Sequence, residues 1–214
     1  YCFPKNAPFS GRTFMNIVAP DETGLAQALE ALACDEVVAY PTETVYGLAV
    51  NPLSEKALDR LFSVKKREPA FPVLLIVADE TQLRPFAAHI DDRTRACMQR
   101  FWPGPLSLLF PAAEGLPRRI LSDSGQVCLR CPEEALARRL CLLRGGALTS
   151  TSANLSGHAP ARSAEEAALP GVALVLDGGA LPPREPSTVF DAAEGRVVRA
   201  GALAAELLYD CWNG

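Results

Sequence analysis

Apolar residues recur along this chain in two rhythms, and the switches between them mark the elements. Leu25, Leu29 and Leu32 fall on one face of a helix that Asp21 can cap, predicting a helix to about Ala33. A continuous apolar run over 37–40 then reads as a buried strand that Pro41 ends, since proline cannot donate to a sheet ladder. Leu58, Leu61 and Phe62 return to helical spacing behind Ser54, predicting a helix to about Lys66. Residues 73–77 form an apolar strand after Pro72, and Asp91 or Asp92 can cap a helix to about Phe101. A rigid aromatic turn, Phe101-Trp-Pro-Gly-Pro105, leads into a strand over 106–110. Residues 111–124 carry no period and read as loop.

The rest repeats the scheme. A strand over 126–129 runs into Arg130, and a helix opening at Pro132 is ended by Gly145 and Gly146. A short strand over 147–149 enters the polar run 150–157, Ser163 caps a short helix, and residues 172–176 form another strand. Residues 187–191 and 196–199 read as a hairpin turned at Glu194-Gly195, followed by a closing helix over 202–209. Alternating strands and helices predict an α/β fold: a single domain with a twisted, mixed sheet and flanking helices. Residues 1–16 read as an irregular N-terminal tail and 17–210 as the domain. The tail holds two prolines within its first eleven residues and no apolar period, so it does not read as a signal peptide.

Composition narrows the function. The 214 residues suffice for one sizeable core, and no run approaches a membrane span. A net charge of −4 argues against a broad nucleic-acid surface, although basic residues cluster at Lys65-Lys66-Arg67, Arg118-Arg119 and Arg138-Arg139. The seven cysteines include several within apolar runs, as expected of reduced thiols in a cytoplasmic protein. Cys128 and Cys131 have the spacing of a metal pair but lack a second pair, and His89 and His158 are the only histidines. No metal site is therefore expected.

Neither a P-loop nor a dinucleotide fingerprint is present, and two scattered histidines offer no hydrolytic triad. What remains is a set of polar residues at strand and helix ends. Thr42 and Thr44 follow the first strand; Lys65 and Arg67 lie at a helix end; Arg130, Ser152 and Asn154 follow later strands; Ser187 and Arg199 flank the hairpin. Separated cations with hydroxyls and an amide suit a polyphosphate.

Six segments, Pro41-Thr-Glu-Thr-Val-Tyr-Gly-Leu48, Lys65-Lys-Arg67, Phe101-Trp-Pro-Gly-Pro-Leu106, Val127-Cys-Leu-Arg130, Thr151-Ser-Ala-Asn-Leu-Ser-Gly157 and Ser187-Thr-Val, follow the order and spacing of the YrdC-like family. The chain resembles the family's short, single-domain threonylcarbamoyl-adenylate synthases over about 21–203. The resemblance implies that L-threonine, bicarbonate and ATP, the last with Mg²⁺, give threonylcarbamoyl-adenylate and pyrophosphate. The product would pass to transfer proteins that modify adenosine 37 of tRNA, with direct tRNA contact at most weak. By the same resemblance Lys65 and Arg67, the two residues expected to be catalytic, form the ATP set with Ser152 and Asn154. Arg199 and Arg162 would also reach the nucleotide, and Thr44, Arg130 and Ser187 would hold threonine and its carbamate. Phe71, Ile76, Gln126 and Ala200 depart from the family pattern and lie outside the ATP set. The alternative is a non-catalytic RNA-binding module, or a carbamoyl-transfer domain of the kind found in longer chains.

Overall fold

The computed structural model describes residues 16–66 and 72–214. Among these residues eleven strands form two sheets in place of the one expected. The first sheet has the order β1 (Asn16–Val18), β9 (Val172–Leu176), β2 (Val37–Pro41), β3 (Tyr46–Ala49), β8 (Thr151–Ser152). The second has the order β11 (Arg196–Arg199), β10 (Thr188–Asp191), β5 (Leu106–Pro111), β6 (Gln126–Arg130), β4 (Leu75–Ile76), β7 (Leu148–Thr149). Both mix parallel and antiparallel pairs. The helices are α1 (Glu22–Ala33), α2 (Glu55–Lys65), α3 (Asp92–Phe101), α4 (Ala135–Arg144), α5 (Ala164–Ala167) and α6 (Ala205–Asn213).

The two-residue period of the strands divides the core. In β2, Val38 and Tyr40 pack with Leu25, Ala28 and Leu32 of α1 and Leu140 of α4. Val37 and Ala39 face the other way, into a larger core shared with Leu58 and Leu61 of α2. That double cover is why β2 reads as a continuous apolar run. In the second sheet Ile76 of β4 and Leu148 of β7 also pack against α4, but β5, β6 and β10 are covered on one face only. Leu106, Leu108, Phe110, Val127, Leu129 and Phe190 join the large core. Their alternates Ser107, Leu109, Gln126, Cys128, Arg130 and Val189 line an open cleft. Each buried Leu or Phe contributes roughly 1.5–3 kcal/mol, so one face anchors the sheet and frees the other for polar work.

Local chemistry explains the element ends. Asp21, Ser54, Asp91 and Ser163 each accept a backbone N–H from the first turn of α1, α2, α3 and α5. Gly145 ends α4 in the left-handed region at φ 77°.

Several expectations are corrected. Pro41 does not end the first strand: β2 continues through it to pair with Tyr46, and the stretch 41–48 is a tight antiparallel hairpin. Thr42 closes the four-residue turn, its Oγ1 donating to the Val45 carbonyl at 2.6 Å and its N–H reaching the same oxygen at 3.2 Å. The strand expected over 73–77 shortens to the two residues of β4. Helix α4 starts three residues beyond Pro132, because Arg138 Nη1 binds the carbonyls of Pro132 and Glu133 and holds them outside the helix. Helix α6 starts at Ala205 because Ala202 and Leu203 are tied by their N–H groups to the Pro186 carbonyl and Thr188 Oγ1. It runs on to Asn213, and Asn16 opens β1, so regular structure extends past both ends of the expected 17–210 domain. The rest of the expected tail lies outside the described residues.

Candidate active-site cleft

A cleft of about 1180 Å³ lies over the open face of the second sheet and is closed on its far side by the β2–β3 hairpin, the end of α2 and the segment around β8. Thr44, Lys65, Arg130, Ser152, Arg162, Ser187 and Arg199 all line it. Asn154 is joined to it through hydrogen bonds. Arg67, and Phe71 beyond it, lie outside the described residues.

Lys65 ends α2 and is buried at 8% exposure. Its ammonium donates to the Ser152 carbonyl and to Asn154 Oδ1, both at 2.6 Å. Ser152 Oγ donates to the same Oδ1 at 2.8 Å, and Asn154 Nδ2 donates to the His158 carbonyl at 2.6 Å. Lys66 follows in the left-handed region at φ 50° and terminates the helix. A charged group from one helix end is thus docked on a polar loop from the far side of the chain.

Ser187 and Ser107 share a buried hydrogen bond of 2.8 Å on the cleft floor. Arg199 Nη2 donates to the Ser187 carbonyl at 2.8 Å and to its Oγ at 3.2 Å. The residues expected for threonine and for nucleotide are therefore in contact at this point. Thr44 sits at the hairpin tip, 3.2 Å from Thr42 Oγ1. Arg130 ends β6, donates through Nε to the Gly104 carbonyl at 2.8 Å and pairs through Nη2 with Glu43. Gly104 must be glycine, because a Cβ there would lie 2.3 Å from the Phe101 carbonyl.

Electrostatics set the cleft apart from the acidic chain. Its lining carries Lys65, Arg130, Arg162, Arg184, Arg196 and Arg199 against Asp123 and Asp191. Two of the sequence-adjacent basic pairs do not line it: Arg118 is neutralised by Asp123 at its edge, Arg119 pairs with Asp59, Arg139 with Glu22, and Arg138 with backbone carbonyls. The cleft's positive field comes instead from single arginines that the topology gathers. Cys128 lies on the cleft floor, and burial pushes its thiol up to about 12, so it stays protonated and packs as a small apolar group. Cys131, its sequence partner, donates to the Ala78 carbonyl at 3.2 Å, and burial pushes it up to about 11. Among the described residues no group of three His, Cys, Asp or Glu side chains could hold a metal ion.

Sequence reasoning missed Ser107, Glu43, Arg184 and Arg196. Ser107 carried a signal, as the one polar residue inside an apolar strand. Glu43 lay inside a noted segment but had no visible partner. Arg184 and Arg196 gave none.

This is an α/β domain whose sheet face and opposing loops build one basic, hydroxyl-rich cleft suited to a phosphorylated ligand. The profile of the Sua5, YciO and YrdC family, described under telomere recombination, matches residues 30–201, and the chain belongs to that family. It is 39% identical over 166 residues to the threonylcarbamoyl-AMP synthase of Thiobacillus denitrificans, covering 77% of this chain and 88% of that protein. It is 36% identical over 189 residues to the synthase of the same name from Yersinia enterocolitica, covering 85% of this chain and 97% of that protein. Its backbone superposes with TM-score 0.84 on Sua5 of P. abyssi in complex with L-threonine, at 32% identity. That match covers 92% of this chain and 60% of the longer Sua5 chain. Among the described residues no helix is long and apolar enough to cross a membrane.

Proposed function

We propose that the chain is a threonylcarbamoyl-AMP synthase acting in the threonylcarbamoyl modification of tRNA. The observation that carries this reading is the docking of Lys65 on Ser152 and Asn154 beside Arg130 and Ser187 in one cleft. Relatives of that name match most of their own length to this chain.

The amine of threonine attacks the carbon of bicarbonate, and the bicarbonate hydroxyl leaves with a proton of the amine as one molecule of water. An oxygen of the resulting carbamate then bonds to the α-phosphorus of ATP as the α–β bridging bond breaks and pyrophosphate departs. No side-chain nucleophile is needed. The protein's task is positioning and charge neutralisation. Lys65, Arg67, Arg162 and Arg199 serve the nucleotide with Ser152 and Asn154. Arg130 offers its guanidinium to the threonine carboxylate, while Thr44 and Ser187 offer hydroxyls to the amino acid and its carbamate. Mg²⁺ would accompany ATP and neutralise charge on the triphosphate; the cleft's Asp191 already accepts from Gln126 and two backbone N–H groups through Oδ1. A carbamate is short-lived in water, so a walled cleft favours its capture. Buried thiols at Cys97, Cys128 and Cys141 suit the cytoplasm, where the product would pass to tRNA-modifying transfer proteins.

Pyrophosphate release tests the reading. It is expected to require threonine and bicarbonate together. Equal release with either omitted would identify a plain ATPase and contradict it.

A further inference from the structure

Glu43 and Arg130 join the two sheets across the cleft. Glu43 stands in the turn between β2 and β3, and Arg130 ends β6 in the opposite sheet. Their side chains form an ion pair at 9% and 6% exposure. The Gly104 carbonyl fixes Nε at 2.8 Å and Glu43 holds Nη2, which together set the plane of the guanidinium. Nη1 makes no hydrogen bond to a described residue and is not among the buried unpartnered atoms, so it opens to the cleft that Arg130 lines.

Glu43 gains little stability from this arrangement. Its Oε2 is buried with no partner among the described residues. A buried ion pair is on average no more stabilising than an apolar pair of the same volume, and an unsatisfied carboxylate oxygen makes it worse. What the pair does supply is a fixed fork. A long arginine side chain is flexible, and holding two of its nitrogens leaves the third aimed before any ligand arrives.

We propose that Glu43 is the positioning residue for Arg130, holding its free edge ready for the carboxylate of the amino-acid substrate. The proposal rests on the reading of Arg130 as the threonine carboxylate donor. Glu43 acts through Arg130 and leaves the nucleotide side untouched.

Steady-state kinetics of the wild type, Glu43→Gln, Arg130→Ala and the double variant test it. Glu43→Gln keeps the shape and one acceptor oxygen but loses the charge. Its KM for threonine is expected to rise about tenfold or more, with the KM for ATP unchanged within about twofold. In the Arg130→Ala background the same change is expected to add nothing to the KM for threonine, read by threonine titration where turnover is too slow. Should Glu43→Gln fail to fold, Glu43→Asp, which keeps the charge and shortens the reach, is expected to show the same split. Equal shifts in both KM values, no shift, or additivity with Arg130→Ala would overturn the proposal. Wild-type pyrophosphate release that ignores threonine would overturn the synthase reading instead, so the two failures are distinct.

Discussion

Lys65 Nζ and Asn154 Oδ1 meet at 2.6 Å across 89 residues of chain, and this contact joins the end of α2 to the loop after β8. The two residues belong to segments that share no secondary structure. Their contact makes one charged wall of the cleft out of a helix end and a separate loop.

Replacing Lys65 by methionine is therefore expected to act twice. Loss of a charge-assisted contact to a phosphate costs on the order of 1.5–3 kcal/mol, or roughly ten- to a hundredfold in turnover. The fold also loses about 1–3 kcal/mol, because the Ser152 carbonyl and Asn154 Oδ1 lose their donor. Pyrophosphate assays and urea unfolding of the same variant measure the two losses. Turnover near the wild-type rate would make Lys65 a structural strut only.

Arg130 carries a different signature. Arg130→Met strands a buried carboxylate at Glu43 and is expected to destabilise the protein by about 3–5 kcal/mol. Adding Glu43→Gln removes the stranded charge and is expected to restore most of that loss. Urea midpoints of the two proteins provide the comparison, and equal midpoints would show that the pair is not coupled.

Ser187→Ala is expected to raise the KM for threonine and the KM for ATP together. Ser187 Oγ bonds Ser107 on the floor and accepts from Arg199, which faces the nucleotide in the proposed reading. Stability falls by about 1 kcal/mol from the lost hydrogen bonds. A change confined to one KM would separate the two subsites at this point.

Alkaline pH is expected to weaken the fold. Burial pushes the thiols of Cys128 and Cys141 up to about 12 from an ordinary value near 9, and burial likewise raises the phenols of Tyr40 and Tyr46. These groups stay neutral in the native state while their unfolded counterparts ionise. Their contribution is thus full below about pH 8.5 and is lost as pH rises toward the folded values, by at most about 1.4 kcal/mol per pH unit for each group. Urea melts in reductant at pH 7, 9 and 10.5 measure the slope. A flat profile would mean that these groups ionise freely in the folded protein.

Much of this architecture was legible in the sequence because it rests on local rules. The caps at Asp21, Ser54 and Ser163 and the apolar run of β2 are each decided within a few residues. Strands β1, β3 and β8 were not legible. Three residues of β1 and two of β8 are too few for a period, and Tyr46–Ala49, interrupted by Gly47, is stabilised by pairing with β2. The division into two sheets depends on long-range pairing that no local pattern records. In the site, the polar residues at element ends announced themselves by position. Glu43 and Ser107 did not, since their roles exist only through partners 87 and 80 residues away.

The central claim is that threonine, bicarbonate and ATP are joined in this cleft. Mass spectrometry of the products formed from ¹³C-bicarbonate, threonine and ATP tests it most directly. The account predicts an adenylate that carries the threonine carbamate and one ¹³C, formed only when all three substrates are present and lost in Lys65→Met. Pyrophosphate or ADP without that labelled adenylate would contradict it.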